Sequence, residues 1–144
     1  MKRVELAKLL EEVVASKAYQ PEGAVTKCNF AVQHVAFEFG YDGFKKKLAN
    51  DIYEIVRSGG SGYWGKTDPD GAATAAWNGC FVIAAQKGKP HGHVATVYPG
   101  GLSFSGKWQK NCPLVANVGK KNWICKASEA FVDEPEYFIF TKVG

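Results

Sequence analysis

The spacing of apolar residues changes once along this chain, at Cys80, and that change limits the folds open to it. Before it, apolar positions recur three and four residues apart. Leu6, Leu9, Leu10, Val13 and Val14 form one set; Ala31, Val32, Val35, Ala36 and Phe39 form a second. Phe44, Leu48, Ile52, Ile55 and Val56 form a third. Such spacing gathers apolar side chains on one face of a helix, so three helices are predicted. "YQPEGAVT" separates the first two, Gly40 ends the second and "SGGSG" closes the third. "DPDGAATAAWNG" predicts a short fourth helix, with aspartate near its start and glycine after its end.

After Cys80 the signals are those of strands. "CFVIAAQ" is a short apolar run, and "GHVATVYP" alternates His93, Ala95 and Val97 against Val94, Thr96 and Tyr98. "GGLSFSGKW", "PLVANVG" and "EYFIFTKV" are further strand candidates between glycine, proline and asparagine turns. Helices followed by turn-linked strands predict an α+β fold, with N-terminal helices packed on a small antiparallel sheet. No linker, repeat or low-complexity tract interrupts the 144 residues, so one domain over residues 1–144 is expected. A chain of that length buries roughly two-thirds of its unfolded surface.

Charge excludes more than it suggests. The net charge is +4 and the lysines are scattered, with Lys45–Lys47 and Lys120–Lys121 the dense runs. No basic stripe with interleaved aromatics is present, so a nucleic-acid partner is not expected. No apolar stretch approaches the ~18 residues of a membrane span, so membrane insertion is not expected either. The N-terminus begins with Lys2 and Arg3 as a signal peptide would, but Glu5, Lys8, Glu11 and Glu12 break the apolar segment. It reads as an amphipathic helix, which leaves cytoplasmic residence, export by a dedicated machine and a leader already removed all open.

Cys28, Cys80, Cys112 and Cys125 contain no C-x-x-C pair, which argues against structural zinc and a redox dithiol. Whether Cys112 and Cys125 pair is left open. Cys28 has a different setting, at the junction of a glycine-containing loop and a helical run, "TKCNFAVQHVAFEFG". Unpartnered backbone N–H groups and the positive end of the helix dipole favour a thiolate there. Lys27 either adds to that effect or points to solvent.

A thiolate nucleophile needs a base, and the base needs an orienting group. His34 lies almost two turns along the same helix and reads as a surface or interhelical residue, while His91 sits in a turn. His93 opens an alternating strand, where the pleat fixes side-chain direction. Asn117 lies in "PLVANVG", an otherwise apolar pattern where a buried amide must find a partner. Asn122 and Asp133 are weaker choices because they sit among turn signals. Core packing accounts for most of the four tryptophans, but glycine-rich surroundings place Trp64 and Trp77 on loops suited to line a substrate groove.

"TKCNFAVQHVAFEFG" followed by "GHVATVYPG" resembles the compact bacterial branch of the papain-like cysteine hydrolases, the CHAP amidases and NlpC-type cell-wall peptidases. "LANDIYEIV", "AATAAWNG" and "FVIAAQ" are also similar to wall amidases of this kind, so the resemblance covers about residues 19 to 119. It implies a papain-like fold with Cys28 as nucleophile, His93 as base and Asn117 as orienting residue. The Cys28 backbone N–H would join an oxyanion hole, where one donor is typically worth ~3 kcal/mol. Tyr19 matches an aromatic position near that hole. The chain departs from the pattern where "QPEGAVTK" replaces a glycine pair, and "CN" rather than "CS" favours the CHAP side.

The function implied is cleavage of amide bonds in bacterial peptidoglycan through a thioester, without metal or organic cofactor. The site of action would be the cell wall or periplasm. A phage lysin or an interbacterial toxin is expected, and a toxin would have a cognate immunity protein plugging its groove. A deamidase or acyltransferase acting on protein, and a catalytically silent wall- or partner-binding module, are the alternatives.

Overall fold

The computed structural model describes residues 1–141. The elements run α1 (Arg3–Ala15), a 3₁₀ turn (Lys17–Tyr19), α2 (Cys28–Glu38), α3 (Ala49–Arg57), β1 (Trp64–Thr67), α4 (Pro69–Trp77) and β2 (Val82–Gln86). They continue with β3 (His93–Ser105), β4 (Lys110–Asn117), β5 (Trp123–Lys126), α5 (Ala127–Ala130) and β6 (Glu136–Phe140). The six strands form one antiparallel sheet in the order β1-β6-β2-β3-β4-β5. This is a single small α+β domain. Among the described residues no helix is long and apolar enough to cross a membrane.

Strand alternation divides the core in two. Ile83, Ala85, Val94 and Phe138 pack with Leu6 and Leu10 of α1, Val32 and Val35 of α2, and Ile52 and Val56 of α3. Val82, Ala84, Ala95, Val97 and Tyr137 face the opposite way, onto Ala72 and Ala76 of α4, Ala127 of α5, and Phe131. The sheet is thus covered on both faces, which is why "FVIAAQ" reads as unbroken apolar rather than alternating. Asp68 caps α4 by accepting from the Gly71 amide at 2.7 Å.

The third helix starts later than its apolar spacing predicts. The Asp51 carboxylate accepts from the Leu48 amide at 3.1 Å, which makes Leu48 the cap. Asn29 and Gln33 of α2 both donate to the Lys47 carbonyl, at 3.0 and 3.2 Å, and hold it outside the helical ladder. Lys45–Lys47 therefore form an exposed turn. "GHVATVYP" and "GGLSFSGKW" join into one strand, β3, with a register shift between Tyr98 and Leu102. Gly101 takes φ +77° in that irregularity, a conformation glycine adopts without strain. The last two residues of "EYFIFTKV", Lys142 and Val143, lie outside the described residues.

Candidate functional site

Cys28 is the first residue of α2, and no side chain caps that helix. Its N-terminal amides are consequently available to the thiol rather than to a Ser or Asp oxygen. Cys28 is 7% exposed. Burial pushes its thiol pKa up, and the backbone amides of Val94, Asn29 and Cys28 itself pull only partly the other way. This corrects the expectation of a preformed thiolate at the helix start: desolvation outweighs the amides. Lys27 contributes no counter-charge, because its ammonium is bound by Glu22 at 2.6 Å and by the Ala18 carbonyl at 3.4 Å.

Val94, whose amide faces the thiol, follows His93, the first residue of β3. His93 Nε2 is 2.6 Å from Asn117 Oδ1. The register explains the meeting. β3 and β4 pair Thr96 with Ala116, so His93 and Asn117 project to the same face as diagonal neighbours. Position 119, next beyond β4 on that side, is glycine; a Cβ there would lie 3.5 Å from His93 Cε1.

The amide orientation follows from a second bond. Asn117 Nδ2 donates to the Lys121 carbonyl at 2.9 Å, so Oδ1 is the atom turned to the imidazole. A carbonyl oxygen only accepts, hence His93 Nε2 carries the proton and Nδ1 keeps its lone pair. The Phe131 ring packs against the imidazole with centroids 4.8 Å apart. Burial lowers the His93 pKa, and the bond to Asn117 opposes that shift. Burial therefore favours the neutral form of both Cys28 and His93. Among the described residues no hydrogen bond joins the two side chains: His93 lies with Ala95, Val97 and Phe131 on the sheet face away from α2, and the thiol sits at the amide of the residue after the histidine.

A cleft of about 350 Å³ opens over Cys28. Val25 and Leu48, both strongly exposed, form its shoulders, and Asn50, Asp51 and His91 supply polar groups. The loop carrying His91 is pinned to α3 by Asn50, which donates to the Gly88 carbonyl at 2.8 Å and accepts from the Gly88 amide at 3.1 Å. Gly92 is required by this close approach: a Cβ there would stand 2.3 Å from Asn50 Oδ1 and 2.6 Å from the Gln86 carbonyl.

Three expected binding residues lie elsewhere. Tyr19 does not line the Cys28 cleft; its hydroxyl is bound to His34 Nδ1 at 2.7 Å, on the outer face of α2. Trp64 is 5% exposed and packs among Tyr41, Phe44, Phe81 and Phe140, so it is a core residue and not a groove wall. Three sequence segments, around residues 41–44, 81 and 140, converge to bury it, and local glycines carry no sign of that. Trp77 is exposed, but α4 lies on the opposite sheet face from α2. Its ring is covered by the Arg3 guanidinium at 3.7 Å, and Arg3 Nε donates to its carbonyl at 2.9 Å.

Asn122 has a role that its turn setting conceals. It donates to the Tyr19 carbonyl at 2.7 Å and accepts from the Gly119 amide at 2.9 Å. It thus ties the segment leading to Cys28 to the turn that follows Asn117. Among the described residues no group of three His, Cys, Asp or Glu side chains converges on one point, and all four cysteines are free thiols, Cys112 and Cys125 included. No protein-family model matches the chain, and no curated protein matches its sequence.

Proposed function

We propose that this protein is a papain-like cysteine hydrolase that cleaves amide bonds of bacterial peptidoglycan. The observation that carries the reading is the Lys121–Asn117–His93 chain of hydrogen bonds. It leaves one imidazole nitrogen basic at the end of the strand whose second amide faces the Cys28 thiol. The CHAP and NlpC resemblance of "TKCNF" and "GHV" supplies the substrate class.

In this mechanism the Cys28 sulfur attacks the amide carbonyl carbon as its proton passes to the imidazole of His93, which reaches the cleft around the end of β3 from the face that carries Phe131. Because burial favours neutral partners, transfer accompanies attack rather than preceding it. The oxyanion is met by α2 amides, and the intermediate collapses to a thioester as His93 returns the proton to the departing amine. Water, deprotonated by His93, then attacks the thioester, releasing the carboxylic acid and the Cys28 thiol.

The test is turnover of purified peptidoglycan with products identified by mass, comparing wild type with Cys28→Ala and His93→Ala. New muropeptides or free stem peptides from wild type alone support the reading and name the bond. No release by the folded wild type sinks it and favours the silent binding module. Activity confined to protein glutamine or thioester substrates favours the deamidase or acyltransferase.

A further inference from the structure

A second concavity, larger than the Cys28 cleft, lies on the outer face of α2. It measures about 540 Å³ and is lined by Tyr19, Phe30, Gln33, His34, Phe37 and Glu38, with Ala18 and Lys27 at one end. We propose that this groove binds the glycan strand of peptidoglycan, a proposal that rests on the hydrolase reading and narrows its substrate to glycan-attached peptides.

Phe30, His34, Phe37 and Glu38 stand at i, i+4, i+7 and i+8, so they form one stripe along the helix. Phe30 is 49% exposed and Phe37 53%, although the rest of α2 is mostly buried. Tyr19 meets His34 edge-on, with centroids 5.7 Å apart, and the hydroxyl–Nδ1 bond makes the two rings one rigid unit. The lining is therefore aromatic faces interleaved with an imidazole and a carboxylate. A pyranose presents the matching chemistry: a C–H face that stacks on aromatic rings, and a rim of hydroxyl and acetamido groups that hydrogen-bond to such side chains.

The size supports a ligand over a protein partner. The volume falls in the ~300–1,000 Å³ range of ligand clefts, whereas a stable protein interface needs roughly 800 Å² from each side. Position supplies the link to the candidate chemistry. Residues 18–27 and the start of α2 lie between groove and cleft: Ala18, Tyr19, Lys27 and Phe30 line the former, Ala24, Val25, Thr26, Cys28 and Asn29 the latter. That wall is held by the Glu22–Val25 bridge and the Lys27–Glu22 ion pair. A glycan lying along α2 would send its pendant peptide across this short wall to Cys28.

The experiment titrates the Cys28→Ala protein with the β-1,4-linked N-acetylglucosamine tetramer, followed by amide NMR. Shifts at residues 30, 34 and 37 are expected. Phe37→Ala in the same background should weaken binding at least about tenfold, while Phe104→Ala, an exposed ring on β3, should not. No shifts at millimolar sugar, or shifts indifferent to Phe37→Ala, would overturn the proposal. A second readout compares wild-type turnover of glycan-attached and free stem peptides: strong preference for the former supports the groove, and equal rates refute it. A protein that binds the tetramer through Phe37 but hydrolyses neither substrate leaves the glycan site supported and refutes the hydrolase.

Discussion

Asn117→Ala removes two hydrogen bonds at once, from His93 Nε2 at 2.6 Å and to the Lys121 carbonyl at 2.9 Å. Asn117 is only 7% exposed, so water replaces them poorly. At about 1 kcal/mol for each neutral bond, and more where a buried group stays unpaired, the loss is about 2–3 kcal/mol. For a domain of this size that is a fall in Tm of roughly 5–9 °C. The effect on chemistry is separate. Without Oδ1 the imidazole is free to turn and to exchange tautomers, which costs on the order of 10²-fold in kcat/KM for a mispositioned base.

The pH dependence distinguishes orientation from mere stability. Burial lowers the His93 pKa and Asn117 raises it, so losing Asn117 lowers it further. A general base works only when unprotonated; the acid limb of kcat/KM therefore moves to lower pH in Asn117→Ala. In Asn117→Asp a carboxylate faces Nε2–H, favours the imidazolium, and moves that limb to higher pH while restoring orientation. The His93 titration followed by imidazole NMR checks both shifts independently of any substrate. Unchanged titration in both variants, or wild-type kcat/KM in Asn117→Ala, refutes the oriented-base reasoning.

Three further outcomes are expected. Trp64→Ala should cost about 3–5 kcal/mol, as removal of a large buried ring does, with sugar binding by the folded protein unchanged; a small shift in the urea midpoint would contradict its core placement. Iodoacetamide should alkylate Cys28 slowly near neutral pH and faster as pH rises past the ordinary thiol range, because burial holds its pKa up. Rapid, pH-independent alkylation of Cys28, located by peptide mass spectrometry, would reveal a thiolate–imidazolium pair instead. Asn122→Ala should release the Tyr19 carbonyl and the Gly119 amide together, so hydrogen exchange at Gly119 should accelerate. Unaltered exchange there would show that the tie carries no strain.

Much of the helical layer is legible in the sequence, because side chains three and four residues apart share a face whatever the rest of the chain does. α1 and α2 follow from that spacing and α4 from its aspartate start and glycine stop, while two-residue alternation marks the opening of β3. The strands β1 and β5 are different: each has four residues, and "WGKT" carries a glycine and no clear period. They exist because β6 and β4 offer them hydrogen-bonding edges. The start of α3 is likewise settled by two amides on α2 that hold the Lys47 carbonyl.

Local sequence determined where Cys28 stands, at a helix start, and that His93 opens a strand, since both depend on short-range spacing and breakers. Tertiary structure alone decided what surrounds them. Register brings Asn117, and not Asn122, to the imidazole, and packing turns Tyr19 away to His34. Trp64 is drawn into the core while Phe30 and Phe37 are left on the surface. The helix start favours a thiolate by a local field, but the Cys28 pKa rises because segments far apart in sequence exclude water from it. Desolvation depends on the packing of the whole fold, and no window of neighbouring residues contains it.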